Sequence, residues 1–443
     1  MRIIYLLLLG ASLATAVEPV QLSLKRAVDV AVSPEGSARI QLADEALKQA
    51  QARALEQRAA LLPNVDAAFS DQSRTENLAA MGFNSKLFSA AIPVPGFHFS
   101  TFVGPFTTVD ARITGAQNIL DLSIIRRYQA SKAGVTAARA DTDATGEQVA
   151  SVVARAYLAA VKGDADVETA QANVTLSEAL VKQAQDEKEA GTGTGIDITR
   201  ARVQLANDRQ RLLVAQNARH SAHLQLLRAV NMRLDTELQL TDKLQYLPVD
   251  AVTLDAAKAQ ALKERPDLKA QQDREWNARL SASATRAERL PSLSAFGDYG
   301  DIGTSLTNSV PTRTLGIQVR VPLFDGGRRD ARREESASQY RAETVRTSDL
   351  KEQIELDVRL ALDSLHSADD QVKVAQEGLE LANSELTQAR RRYDAGVAVS
   401  VEVTDAQTRL ERARDNTTEA LYNYNLARLD LAQAMGRVRA TVQ

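Results

Sequence analysis

Two acidic residues near the carboxyl end, Glu402 and Asp405, stand three apart just after Gly396, so they fall on one face of a helix beginning there. Carboxylates in that arrangement attract cations and repel one another. A carboxylate in a first helical turn also favours the positive end of the helix dipole, and both readings fit the pair. An equivalent place earlier in the chain holds Asp197 and Arg200, which follow a GTGTG run at 191–195. That run is not a phosphate loop, because it lacks the lysine and the preceding strand that such a loop needs. His220 and His223 are three apart and could nominally bind a metal, but helical surface histidines of this kind are mostly structural, and no metal or other cofactor is expected. No serine, histidine and acid grouping and no motif of paired carboxylates marks a catalytic centre. Zero cysteines exclude disulfides and thiolate chemistry, and a net charge of −3 gives no case for nucleic acid. The chain does not read as an enzyme.

The elements that must position these residues come in two copies. In the first half LLPNVDAAF (61–69) leads to QNILD (117–121), a helical tract, AGTGTGIDIT (190–199) and a second helical tract. In the second half RLPSLSAF (289–296) leads to VPLFD (321–325), a helical tract, AGVAVSVEVT (395–404) and another. The spacing repeats as well: 70 residues separate Asp121 from Gly191, and 71 separate Asp325 from Gly396. The halves differ where 58 residues separate Pro63 from Asp121 but only 34 separate Pro291 from Asp325. The surplus lies between Thr75 and Thr108 and holds six of nine phenylalanines, Phe83, Phe88, Phe97, Phe99, Phe102 and Phe106, suiting a longer extracellular loop whose rings either join an interfacial aromatic girdle or form a plain buried cluster.

Residues 122–189 lack proline and carry apolar residues at helical spacing, among them Val149, Val152, Val153, Ala156 and Ala160. Residues 328–394 behave likewise, with Ile354, Val358, Leu362 and Leu365 on one face. Each predicts one helix of roughly 100 Å, too long to be buried in a core of its own chain. Both end in glycine-bearing turns, at 191–196 and 396–401, giving hairpins over 122–232 and 326–436. A mixed equatorial segment at 233–251 precedes a helix over 254–290, and a matching piece at 22–62 is interrupted by Pro34 and Gly36.

Four segments alternate with period two: about 64–74, 108–120, 292–302 and 313–324. Leu315, Ile317, Val319, Val321 and Leu323 point one way; Val65, Ala67 and Phe69, then Val109, Ala111 and Ile113, then Leu293 and Ala295 do the same. One greasy and one polar face suit a transmembrane barrel with lipid outside and water inside. The alternative is a pair of amphipathic hairpins on a soluble domain.

At the amino end Arg2, the apolar run 3–9 and Ala14-Thr15-Ala16 read as a signal peptide over 1–16, with no following cysteine to take a lipid. No later stretch reaches the ~20 apolar residues of a membrane-spanning helix, so membrane entry would need a closed barrel. About eight strands is the practical minimum for closure, so four imply that several chains share one barrel.

Taken in order and duplicated, ERPDLKA (264–270), the LP turns at Pro63 and Pro291, VPLFDGGRR (321–329) and RRYDAGVAVSVEVTDAQ (391–407) make the chain resemble the TolC-like outer-membrane efflux proteins over nearly its whole mature length. The resemblance implies a mainly α fold with a transmembrane β-barrel. A homotrimer would share a 12-stranded barrel, four strands per chain, above a hollow periplasmic α-barrel of long helical hairpins. It implies two structural repeats, 17–251 and 252–443, and a location in the outer membrane, among its lipids, extending into the periplasm. Its partners would be further copies of itself, a periplasmic adaptor and an inner-membrane pump.

By the same resemblance Glu402 and Asp405 line the constriction of the aperture. Asp197 and Tyr393, with Arg200, belong to a network that closes the tips. The family's arginine after the second turn is replaced by Ala398, so that ion pair is absent; Arg200, Arg391 and Arg392 are the candidates to take its place, and the pairing within the network stays open. Gly191, Gly193, Gly195, Gly396, Val397 and Ser400 form the small tips against which an adaptor would dock. The rival reading is a non-conducting periplasmic coiled-coil scaffold, and the cargo is not legible in the chain.

Overall fold

The computed structural model describes residues 19–83, 100–248 and 252–442. The signal peptide and Phe88, Phe97 and Phe99 lie outside the described residues. Contacts divide the chain into two compact units, one comprising residues up to Ala46, Arg139–Ala270 and Ser348 onward, the other Leu47–Ala138 and Gln271–Thr347. Neither coincides with a sequence repeat, because each draws on both.

The second unit holds an antiparallel sheet of β2 (Asn64–Asn77), β3 (Phe102–Leu120), β5 (Ser292–Gly303) and β6 (Ser309–Arg320), in the order β2-β3-β5-β6. Its register settles where the alternating residues go. Ala67 pairs with Ile113, Ile113 with Tyr299, Leu293 with Val319 and Ala295 with Ile317. Paired residues share a face. Val65, Phe69, Ile113, Leu315, Ile317 and Val319 therefore form one apolar face, all of them exposed. The other face is polar, and there Arg112 bridges Asp110 at 2.9 Å and Asp298 at 2.7 Å. Phe296 breaks the pattern by lying on Gly316, where a Cβ would sit 2.6 Å from its ring. Among the described residues β2 and β6 each keep one edge without a partner strand.

The predicted strands 64–74 and 108–120 are longer in the structure, extended by part of the phenylalanine-rich surplus. The predicted strand 313–324 is corrected: it begins at Ser309 and stops at Arg320. Pro322 has no N–H for a ladder, and Leu323 and Phe324 beyond it are 92% and 90% exposed.

The long helices are α3 (Leu122–Glu189) and α7 (Arg328–Asp394), and the returning helices are α4 (Gly195–Val230) and α8 (Ser400–Ala434). Before the strands come α1 (Leu24–Val32) and α2 (Ala38–Ala59) in the first half, α5 (Leu254–Glu264) and α6 (Pro266–Ala287) in the second. The expected single helix over 254–290 is thus two. Arg265 is extended at its break (ψ 117°), because the residue before a proline is pushed out of the helical region, while Pro266 suits a first helical position. The ERPDL motif locks that corner. The Arg265 guanidinium, 13% exposed, reaches Asp267 at 2.7 Å and Asp357 of α7 at 3.0 Å, and donates to the Ala434 carbonyl at 3.4 Å.

Among the apolar clusters of the first unit are two large ones. One gathers Leu22, Val153, Tyr157 and Leu226; the other Leu268, Ile354, Val358 and Tyr424. Sequence reading missed a two-stranded parallel ribbon of β1 (Val20–Leu22) and β4 (Leu238–Leu240). The Tyr157 hydroxyl fixes it, donating within reach of the Leu22 carbonyl (2.9 Å) and the Asp242 carboxylate (2.8 Å). On the return helix α8 of the second half, Tyr424 donates to the Leu247 carbonyl at 2.8 Å. Among the described residues no helix is long and apolar enough to cross a membrane.

Candidate aperture at the hairpin tips

Helix α3 ends at Glu189 and the chain reverses through Gly191, at φ +77°, a left-handed conformation that favours glycine. Helix α4 then opens with Thr194 as N-cap. Asp197, its third helical residue, closes a capping box: its Oδ2 accepts from the Thr194 N–H at 3.2 Å and from the Thr194 hydroxyl at 2.5 Å. The other oxygen points to the second hairpin. Asp197 Oδ1 accepts from the Ser400 hydroxyl at 2.5 Å, while Arg200 Nη1 lies 3.4 Å from Oδ1 and 3.3 Å from Ser400 Oγ. The Ser400 hydroxyl, then the Thr194 cap, hold the Asp197 carboxyl below the ordinary carboxylate range.

The second tip is built differently. Gly396 makes the same reversal at φ +72°, but the N-cap of α8 is Val399, which has no side-chain oxygen. Glu402 occupies the position equivalent to Asp197 and is not held by a cap. It turns back across its own hairpin to Arg392, whose Nε lies 3.3 Å from its carboxylate. Asp405 is exposed, with no ion pair among the described residues.

Tyr393 also reaches the first hairpin: its hydroxyl donates to Glu187 of α3, beside the link from the Ser400 hydroxyl to Asp197. Glu187 carried no signal in the sequence, sitting in the ordinary polar run QDEKE. Beneath these links Leu386, Ala389, Val403, Ala406 and Leu410 pack as an apolar cluster. Of the tip residues, Gly191, Gly195, Gly396 and Val397 are exposed, Gly193 is half-buried, and Ser400 is engaged with Asp197. Ile196, Val397 and Val399 are 64%, 68% and 68% exposed, and two of these were not singled out from sequence. His223 faces Asp164 at 3.1 Å, a carboxylate also taken by Arg219 at 2.5 Å.

A sheet with one apolar face, joined to two hairpins of such long helices, is the fold of known outer-membrane channels. CmeC of Campylobacter jejuni superimposes with a TM-score of 0.79 over 93% of this chain and 85% of its own, at 18% identity. VceC of Vibrio cholerae gives 0.77 over 94% and 96%, also at 18% identity. The family profile described as outer membrane efflux protein matches residues 35–232 and 258–437, one segment in each repeat, and the chain belongs to that family. Among curated relatives, the alkaline protease secretion protein AprF of Pseudomonas aeruginosa is 23% identical over 70% of this chain and 65% of its own length. TolC of Vibrio cholerae is 23% identical over 64% and 66%. The chain thus spans just under two thirds of those two relatives. The pyoverdine export protein OpmQ of Pseudomonas putida is 24% identical over 88% of this chain and 81% of its own. As a member of this family the protein resides in the outer membrane and extends into the periplasm.

Proposed function

We propose that the chain is one of three copies forming a conduit through the outer membrane, which exports cargo handed over by a periplasmic adaptor and an inner-membrane pump, without catalysis of its own. The observation that carries this is the sheet: an apolar face in register across all four strands, with β2 and β6 each left with one unpaired edge among the described residues. An apolar face demands lipid or protein, and unpaired strand edges in a membrane demand partners, so further copies must complete the barrel.

The hairpin tips form the periplasmic entrance. Glu402 and Asp405 line its constriction; Asp197, Arg200 and Tyr393 hold it closed; Gly191, Gly193, Gly195, Gly396, Val397 and Ser400 belong to the surface that receives the adaptor. The relatives' names speak of alkaline protease secretion, pyoverdine export, toluene efflux and cation efflux. That range fits a conduit whose choice of cargo lies with its pump.

Single-channel recording in planar bilayers tests the reading. Wild type is expected to conduct with cation preference, and Glu402→Ala with Asp405→Ala to lose that preference or gain conductance. An unchanged double mutant would place the constriction elsewhere. Inserted trimers that never conduct would favour the scaffold.

A further inference from the structure

Eleven residues beyond Asp197 along α4, the first unit buries charge. Asp208 of α4 and Glu411 of α8 are each 1% exposed, and Gln407 of α8 is fully enclosed. The Ser177 hydroxyl of α3 donates to Asp208 at 2.5 Å and accepts from the Gln407 amide at 2.8 Å. Gln407 also donates to Glu411 at 3.2 Å, and Gln204 of α4 donates to both acids, at 3.1 Å and 3.3 Å. The two carboxylates thus share the Gln204 amide across two hairpins.

Among the described residues one cation serves them. Arg211 of α4 lies 2.7 Å from Glu411 and 3.7 Å from Asp208, with its own side chain 57% exposed. Of the other charges nearby, Glu178 of α3 pairs with Arg209, Arg414 of α8 with Asn173 and Glu385 of α7 with Arg409, while Asp415 lies in the field of Asp166, of Arg211 itself and of Lys162 and so adds to the demand on that one guanidinium. What α7 packs here is apolar, including Ala382 and Leu386. Two buried acids against one half-solvated guanidinium leave a surplus negative charge, which desolvation disfavours strongly. A second sign points the same way: the Gln407 carbonyl oxygen is buried with no donor, although its amide lies against Glu411.

We propose that Glu411, buried beside Asp208, forms a proton-binding site between the hairpins, in which its proton holds α4 against α8 and the loss of that proton loosens them. Burial, and next the facing Asp208 carboxylate, push the Glu411 carboxyl above the ordinary range, outweighing Arg211 and Gln407. The sign follows from linkage. A carboxyl whose pKa is raised in the packed state favours packing while it is protonated, and that contribution fades as pH rises through the raised value. This inference rests on the fold and holds whether or not the assembly conducts.

The chain has no cysteine, so Gln210→Cys and Arg412→Cys, at exposed positions on α4 and α8, can carry nitroxides. The labelled chain is diluted into unlabelled copies in detergent and the distance between labels read by pulsed electron resonance from pH 5 to pH 8. The expected result is a narrow distribution at pH 5 that lengthens and broadens towards pH 8, with its midpoint above the ~4.3 of a free glutamate. Glu411→Gln should stay narrow throughout, and Asp208→Asn should lower the midpoint. A wild-type distance that ignores pH, or a Glu411→Gln protein that keeps the full shift, would overturn the proposal. Should Glu411→Gln fail to assemble, an unmoved midpoint in Asp208→Asn overturns it equally.

Discussion

The two hairpin tips share their glycine reversals and the length of their long helices, yet they use the same acidic position in opposite ways. At the first, Thr194 supplies a cap hydroxyl and Asp197 is spent inward, on the cap and on Ser400. At the second, valine stands where threonine stood, so Glu402 has no cap to close and lies 39% exposed beside Arg392. One residue's loss of an oxygen separates a structural carboxylate from an available one. Duplication thus supplied two equal turns, and divergence at Thr194 and Val399 gave them different work.

The largest effect is expected from Asp197→Ala, which removes both the cap and the cross-hairpin bond. Conductance in bilayers should rise severalfold, while Glu402→Ala alone should alter selectivity without opening the tips. Equal opening by both would erase the distinction between them. The pH dependence separates Asp197 from Glu411. A carboxyl held below its usual range contributes above its unfolded pKa and is lost only as pH falls through the lower, folded value. The latch should therefore be indifferent between pH 8 and pH 5 and fail only in stronger acid, below the ~3.9 of a free aspartate. Conductance recorded down that range checks it.

Next comes Thr194→Val, which rebuilds the first tip on the plan of the second. Loss of an N-cap costs about 1 kcal/mol, to be seen as faster hydrogen exchange in the first turn of α4. The smallest effect belongs to the reciprocal Val399→Thr. Glu402 should turn into the new cap and leave Arg392, and since an exposed ion pair contributes under about 1 kcal/mol, the gain is a few tenths. The readout is reduced cation preference, from an acid withdrawn without being deleted. Unaltered selectivity would mean that the Glu402 carboxylate does not act from where it stands.

Much of the fold was legible because it is periodic. Helices α3 and α7 announce themselves by apolar spacing and freedom from proline, and the sheet faces by strict alternation in Val65, Ala67 and Phe69. Arg265-Pro266 was legible too, as a proline that must interrupt a helix, though its reading as one continuous helix passed over it. The β1–β4 ribbon was not, since three-residue strands carry no period. Nor was the partner of Tyr393: tyrosine at a tip announces a hydrogen bond, but nothing local says that Glu187, 206 positions away, receives it. Asp208 and Glu411 read in sequence as an ordinary solvated helix surface, set among Asn207, Arg209 and Arg412.

The sequence by itself determined what neighbours along the chain can decide: two repeats, the helix lengths, the turns at Gly191 and Gly396, and which strand residues share a face. Steric preference and periodicity act within a few residues and do not need the rest of the molecule. Only the tertiary structure decided which acids are capped, paired, exposed or buried together. Those outcomes depend on side chains some 200 positions apart being brought to about 3 Å, and on how much water their packing leaves.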